Sequence, residues 1–427
     1  MRQTLFHIPH EFWGWPMFGP GWLLLCWAVA ALGLLVWQAR RQGWNADTLG
    51  YLPVLAMIGA AIYFLLPHLE EQPEIGPPLG LPIRGYGVMV LLGVIAGLAL
   101  GMRTARRMGL DPEVIFGLSF AIFVGGIVGA RAFYVIQYWP QFQADLLTDT
   151  VVAVLNVTQG GLVVYGPFFG GAATGYWYLR RYGLPVLAMA DILAPTMMIG
   201  LALGRLGCLM NGCCYGGLCD YGLAFPEESP PYKHQRALGQ LHGFRLGAEA
   251  ITGAAVVQSV KSDGPALAAG LETGAVVRAI NGQPLPSFQE ACGYLEKARP
   301  DLTLETDRGR VRIVLGQYPP RSLRVHPTQI YAAMDAALLC FVLWAFYPFR
   351  RWDGEVFAWM LTLYPMARIV EELLRSDEPG RFGTRLSISQ WVSVLLLAAT
   401  AVFWAWLVRQ PRGSVLPPPG DATPPTG

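Results

Sequence analysis

The sequence predicts an all-α polytopic membrane protein of about nine transmembrane helices, interrupted by one small inserted α/β domain. Three observations predict it. Of the 427 residues, 53% are hydrophobic and 14% charged; a soluble domain carries about a quarter charged residues, so a simple water-soluble enzyme is excluded. Apolar stretches long enough to cross about 30 Å of hydrocarbon recur at 20–39, 51–67, 85–102, 113–137, 162–179, 186–204, 328–348, 355–373 and 388–408. Between 206 and 327 the composition shifts to Lys, Asp, Glu, Gly and alternating Val, as in a soluble insert. The 31 Lys and Arg nearly cancel the 29 Asp and Glu, so no basic field exists to hold nucleic acid.

The arginines orient the helices, because cytoplasmic loops collect basic residues. Arg40 and Arg41, Arg103, Arg106 and Arg107, Arg180 and Arg181, Arg350 and Arg351, and Arg409 and Arg412 fall in every second connection. Connections 67–84 and 139–160 are acidic or free of Lys and nearly free of Arg, and are expected outside. The first stretch lacks a basic leader and cleavage site and reads as a retained helix, with the N-terminus outside and the C-terminus cytoplasmic. The outer connection contains VVQSV, DGPALAAGL, AVVRAINGQPL, FQEACGYLEKA and LTLETDRGRVRIVL, which predict strand, helix, strand, turn, helix and hairpin, with Asn281 and Gly282 at a tight turn. The Pro-rich tail, 411–427, is expected to be disordered.

Ionisable residues inside spans are costly and therefore functional candidates. They are Arg131, Asp191, Arg205, Asp335, Arg368, Glu371 and Glu372. Tyr364, Arg368, Glu372 and Arg375 follow at steps of four, four and three, which places them on one helix face; the bland alternative is an ion pair within the helix. In GRLGCLMNGCCYG (204–216) an Arg beside Gly-rich backbone suits a phosphate, since guanidinium stays charged and donates several hydrogen bonds; the alternative is an Arg snorkelling to headgroups. Cys208, Cys213, Cys214 and Cys219 crowd this region, yet the adjacent Cys213 and Cys214 fit no common tetrahedral spacing. No metal is expected, and a disulfide stays open. His326, just before a span, is a candidate proton carrier or a helix-start residue. Tyr165, in QGGLVVYGPFFGG, is a candidate polar group or an interfacial anchor.

Taken in order, IRGYGVMVLLG (83–93), GGLVVYGPFFGG (160–171), GLALGRLGCLMNGCCYG (200–216), HPTQIYAAMDAALL (326–339), GEVFAWMLTLYPMARIVEELLR (354–375) and LSISQW (386–391) resemble the blocks of the bacterial prolipoprotein diacylglyceryl transferase family. The resemblance implies a seven-helix core at 74–242 and 318–410, an extra helix pair at 1–73, and an insert at 243–317. The insert itself resembles a PDZ domain of envelope proteases, whose class binds extended peptides by strand addition, with 243–250 in the place of the carboxylate loop. The implied activity is transfer of the diacylglyceryl group of phosphatidylglycerol to the lipobox cysteine of a precursor, forming a thioether and releasing glycerol phosphate. It takes place in the bacterial inner membrane without a cofactor.

By the same resemblance Arg205, Arg368, Glu372 and Tyr165 fall at catalytic positions. Arg205, Tyr86, Asn211, Gly216, Tyr364 and His326 fall at phosphatidylglycerol-binding ones. Tyr165 stands where the family often has His, Cys208 where it has Asn, and Cys213 where it has Glu. A His base at 165 is thereby excluded, and the base stays open among Glu372, His326 and no residue. The alternative is an inactive relative that binds peptide or lipid. No HExxH or GxSxG motif supports a protease, and no internal repeat supports a transporter.

Overall fold

Helices form where the apolar stretches lie, because a chain in hydrocarbon must satisfy its own backbone N–H and C=O groups. The computed structural model describes residues 3–43, 46–72, 76, 78–142, 150, 153–154, 165–249, 252–285, 287–375, 383–384 and 386–416. The chain divides into two compact units, Met1–Val88 and Met89–Gly427.

In the first unit β1 (Thr4–Ile8), β2 (Glu11–Phe12) and β3 (Trp15–Pro16) precede α1 (Trp22–Gln42) and α2 (Ala46–Ala60). A π-turn and a 3-10 turn extend α2 to Leu69, and β4 (Leu81–Arg84) pairs antiparallel with β1. The β2–β3 hairpin turns through Trp13 and Gly14, both at positive φ.

The helix α3 (Gly85–Arg107) leads into the second unit, where α4 (Pro112–Gln137), α5 (Tyr165–Arg181) and α6 (Val186–Asn211) follow. Asp111 caps α4 by accepting the Glu113 N–H. Small residues let α4 and α5 meet backbone to backbone: a Cβ on Gly170 would lie 2.1 Å from the Gly125 carbonyl oxygen, and one on Gly129 would lie 2.4 Å from that of Gly166. After the insert come α10 (Thr328–Phe346), α11 (Glu355–Glu372) and α12 (Ile388–Leu407), the numbers between being taken by the outer connection's helices below. Helix α6 packs on α10 and α11, and α11 on α12. Their shared core includes Met189, Ile192, Met198, Leu339, Leu343 and Val356.

Each of the nine predicted spans coincides with a helix. Six of these, α1, α3, α4, α6, α10 and α12, are long and apolar enough to cross a membrane among the described residues. The others differ for identifiable reasons. Helices α2 and α5 have 15 and 17 residues, and α11 carries Glu355, Arg368, Glu371 and Glu372 within 18 residues. Pro365 inside α11 cannot donate to the Leu361 carbonyl; the Thr400 hydroxyl of α12, bonded to the Leu396 carbonyl at 2.7 Å, lies 3.4 Å from that oxygen.

The outer connection begins with β5 (Leu218–Leu223) and α7 (Pro230–Ala237), ahead of the insert. Then β6 (Phe244–Ala248), β7 (Ala255–Val260), α8 (Pro265–Ala268), β8 (Val276–Ile280), β9 (Gln283–Pro284), α9 (Phe288–Lys297), β10 (Leu302–Thr306) and β11 (Gly309–Ile313) follow; from β7 onward this is the order predicted, but Phe244–Ala248, expected within a loop, is a strand paired with β7. They form one antiparallel sheet in the order β11-β10-β8-β7-β6, with β9 paired to β8, over a core that includes Leu246, Val257, Ile280, Leu295 and Leu304. Asn281 and Gly282 make the tight turn, at φ 51° and 81°. The insert is fastened where it leaves the membrane core. The Gln235 amide donates to the Leu323 carbonyl and accepts its N–H, Tyr232 Oη donates to the Pro319 carbonyl, and Phe225 and Ser322 exchange two hydrogen bonds.

The tail is partly ordered, contrary to the expectation of disorder from 411 onward. Gly413 N–H donates to the Arg351 carbonyl, Val415 N–H and the Ser414 hydroxyl donate to Asp353, and Leu416 is buried. Residues 417–427 lie outside the described residues.

Candidate active site

The signature block makes its site by ending a helix abruptly. Gly212 closes α6 in the left-handed conformation at φ 80°, which glycine adopts without a Cβ penalty. The chain then doubles back, and the Gly212 and Cys213 N–H groups both donate to the Cys208 carbonyl at 2.8 and 3.1 Å. Loop 212–217 is clamped from two sides. From the start of α10, Thr328 Oγ1 donates to the Cys214 carbonyl and Gln329 Nε2 to the Cys213 carbonyl, each at 2.6 Å, while Gly216 N–H donates to the His326 carbonyl at 2.9 Å. From the end of α11 the Leu374 carbonyl accepts the Gly217 N–H at 3.1 Å. Gly216 is required here: a Cβ would meet Leu374 O at 2.7 Å, His326 Cβ at 2.8 Å and Thr328 Cγ2 at 2.9 Å.

A buried charge cluster closes the same end. Arg368 Nη2 lies 2.7 Å from Glu372 Oε2, and Arg368 Nη1 lies 3.6 Å from Glu371 Oε2. Arg375 Nε approaches Glu372 Oε2 at 4.0 Å, and Arg368 Nη2 also donates to Ser389 Oγ at 3.4 Å. Ser389 is presented by a capping box at the start of α12, in which Ser387 and Gln390 bond reciprocally. Arg205, Arg368, Arg375 and Asp335 all act electrostatically on Glu371, which brings α6, α10 and α11 to one centre. Three groups here hold buried polar atoms without a hydrogen-bond partner among the described residues: Glu372 through Oε1, His326 through Nδ1 and Gln329 through Oε1.

Of the residues singled out in the sequence, Arg205, Asn211, Gly216, His326, Arg368 and Glu372 thus gather around the junction of α6, α10 and α11. Asn211 reaches the Cys213 thiol with its side chain. Tyr364 is packed against the apolar core one turn before Arg368. Tyr86 is half exposed in the first turn of α3, in the first unit. Tyr165 opens α5, and its side chain lies outside the described residues. Thr328, Gln329 and Ser389 were not singled out. The signal was present in the HPTQIY and LSISQW blocks, but only the fold shows that they grip the signature loop and Arg368.

Two other intramembrane charges have structural partners. Asp191 is fully buried and accepts the Gly354 and Phe357 N–H groups at 2.8 and 2.9 Å, so it caps α11 from α6. Arg131 donates to the Ala153 and Val154 carbonyls at 2.8 and 2.9 Å and lies over the Tyr134 and Phe142 rings. The Sγ atoms of Cys208, Cys213 and Cys214, which sequence spacing did not group, lie within 4.8 Å of one another. All seven cysteines are unpaired.

Residues 73–406 match the family described as prolipoprotein diacylglyceryl transferase. Among similar proteins, a phosphatidylglycerol–prolipoprotein diacylglyceryl transferase of Rhodopirellula baltica is 36% identical, over 94% of this chain and 88% of its own length. One of the same description from Clostridium tetani is 23% identical, over 76% of this chain and 94% of its own length. The loop clamp and the charge cluster both lie inside the matched span, and the chain belongs to the prolipoprotein diacylglyceryl transferase family.

Proposed function

We propose that this multi-pass membrane protein transfers the diacylglyceryl group of phosphatidylglycerol to the lipobox cysteine thiol of prolipoproteins. The sulfur attacks the glyceryl carbon and the carbon–oxygen bond to phosphate breaks. A thioether forms, glycerol phosphate leaves, and the thiol proton is carried away. The reaction needs cations where phosphate charge develops. Arg205 and Arg368 meet that need, and their convergence with loop 212–217 is the observation that carries the reading. Glu372 is committed to Arg368 and Arg375, which makes it a positioning group for the guanidinium. His326, with Nδ1 unpartnered among the described residues, is the better candidate to accept a proton. Asn211, Gly216 and Tyr364 line or shape the phosphatidylglycerol site in this reading, and Tyr86 and Tyr165 are assigned to the same substrate by their family positions alone.

All nine helices cross the bacterial inner membrane in this reading, with the N-terminus and insert outside, the C-terminus cytoplasmic, and 1–73 an added pair. The insert, 243–317, is a PDZ-like domain that takes a periplasmic peptide or protein. Its β6 edge is partly used already, because Phe244 and Leu246 N–H groups donate to the Gly239 and Leu238 carbonyls, so an added strand would pair with what remains of that edge.

Mass spectrometry of a lipobox peptide incubated with the purified protein and phosphatidylglycerol tests the activity. A diacylglyceryl mass gain on the cysteine is expected. No gain from a folded preparation that binds the lipid would support the inactive-relative reading instead.

A further inference from the structure

The three thiols of the signature block are chemistry that the clamp and the charge cluster leave unused. Cys208 lies in the last turn of α6, and Cys213 and Cys214 follow the reversal at Gly212. All three are part-buried, with their Sγ atoms mutually within 4.8 Å. The backbone is bent to bring them together. Cys214 is held at φ 59°, a left-handed conformation that few non-glycine residues adopt and that costs roughly 1–2 kcal/mol. The Cys213 and Cys214 carbonyls are pinned by Gln329 and Thr328. Adjacent cysteines that fit no two-plus-two spacing do fit a three-ligand site whose third thiol comes from the preceding helical turn.

We propose that Cys208, Cys213 and Cys214 form a three-thiolate site for the thiophilic cation Zn²⁺, with its fourth coordination position open to the precursor's cysteine thiol. The role of the fourth ligand rests on the transferase reading above. Zinc–sulfur bonds of about 2.3 Å place tetrahedral ligands about 3.8 Å apart, so the observed cluster needs only a small contraction. No His, Asp, Glu or fourth Cys joins the group among the described residues. Three protein ligands and one exchangeable position is the pattern of catalytic zinc, whereas structural zinc has four. Arg205 lies three residues before Cys208 and so on the same helix face, which puts a bound thiol one helical turn from the proposed phosphate cation. The chemistry balances without redox change. The precursor thiol releases its proton to water as its sulfur binds Zn²⁺. The bound thiolate then attacks the glyceryl carbon, and the carbon–oxygen bond to phosphate breaks with its electron pair, freeing glycerol phosphate. Such a site supplies the thiolate in a chain that has Tyr165 rather than His.

The test uses the full-length protein in detergent, with Zn²⁺ counted by elemental analysis and Co²⁺ as an optical probe. One ion per chain is expected, with sulfur-to-cobalt charge transfer and tetrahedral visible bands. Cys208→Ser and Cys213→Ser should each weaken binding at least tenfold, and Cys219→Ser should leave it unchanged. A lipobox peptide should shift the visible bands, and the same peptide with Ser for Cys should not. Absence of stoichiometric metal, unchanged binding in both Ser variants, or a disulfide within the cluster would overturn the site. Metal bound with bands indifferent to the Cys peptide would overturn the open position. A bound ion and a peptide-shifted spectrum with no lipid transfer would uphold the site and count against the transferase reading.

Discussion

Helices α6 and α11 carry buried charges at both of their junctions, and the two junctions are built on different principles. At one, Asp191 spends its carboxylate on two N–H groups of α11, Arg351 pairs with the buried Glu355 at 2.9 Å, and Arg350 faces Asp191 and Asp353, each at 3.9 Å. Arg350 Nε and Trp359 Nε1 lack a hydrogen bond there among the described residues, and Arg350 Nε faces two carboxylates. At the other, Arg368 and Arg375 face Glu371 and Glu372, yet Glu372 Oε1, His326 Nδ1 and Gln329 Oε1 have no hydrogen-bond partner among the described residues. Leaving such a group unsatisfied costs about 1–3 kcal/mol, so each needs a partner from outside the chain, water or a bound group. Intramembrane charge alone therefore does not mark function. What separates a splice from a site is whether the partners are already supplied from within the chain.

The comparison can be broken or sharpened by substitution. The largest effect is expected for Arg205→Ala, a loss of transfer of about 100-fold or more with the thermal midpoint in detergent nearly unchanged; activity within a few fold of the parent would take Arg205 out of the centre. The outer connection offers a further buried polar group just before the insert, His242, whose Nε2–H donates to the Pro300 carbonyl at 3.0 Å. Burial holds its imidazole well below the ordinary range, down to about 4. The unfolded chain then binds a proton below about 6.5 that the folded one refuses until about 4. Stability therefore falls as pH drops through that window, by roughly 3 kcal/mol in all, and levels off below it. Acid melting curves of His242→Asn should lack this slope, and a slope equal to the parent's would assign it to other groups.

Gly216→Ala comes next. Its Cβ has backbone and side-chain atoms within 2.9 Å, so about 1–3 kcal/mol of stability should be lost, together with much of the transfer rate. A fully stable and active variant would show that the loop clamp is not needed. The smallest effect is expected for Tyr165→Phe, a loss below about tenfold, in keeping with a hydrogen-bond donor rather than a base; complete inactivity in the transfer assay would restore Tyr165 as an essential proton carrier.

Much of this was legible from residues alone. Long apolar runs with arginines at alternate ends specify helices because hydrocarbon leaves the backbone no other partner, and the alternating Val of 255–280 specifies the insert's strands. Arg205, Arg368 and Glu372 stand out in the sequence because charges inside apolar stretches need a reason, whereas Asn211, Gly216 and His326 enter the candidate site through the resemblance of their blocks. The role of Asp191 was not readable: it is a tertiary cap, and its partners Gly354 and Phe357 lie more than 160 residues away. The convergence of Cys208 with Cys213 and Cys214 was hidden too, since it depends on left-handed backbone at Gly212 and Cys214 that spacing rules do not anticipate. The docking of Gly413–Leu416 was missed because Pro-rich composition says nothing about a waiting Asp353.

The most direct test compares the two junctions in one experiment. Single-turnover transfer of lipid to a lipobox peptide would be measured for Arg368→Ala and Asp191→Ala, each at a temperature where thermal scans show it folded. The account predicts that Arg368→Ala, while still folded, loses at least about 100-fold in rate, besides the stability that breaking its buried pair with Glu372 costs. Asp191→Ala should lose about 3 kcal/mol of stability or more and keep most of its rate. An active Arg368→Ala, or a folded Asp191→Ala without activity, would contradict the division into site and splice.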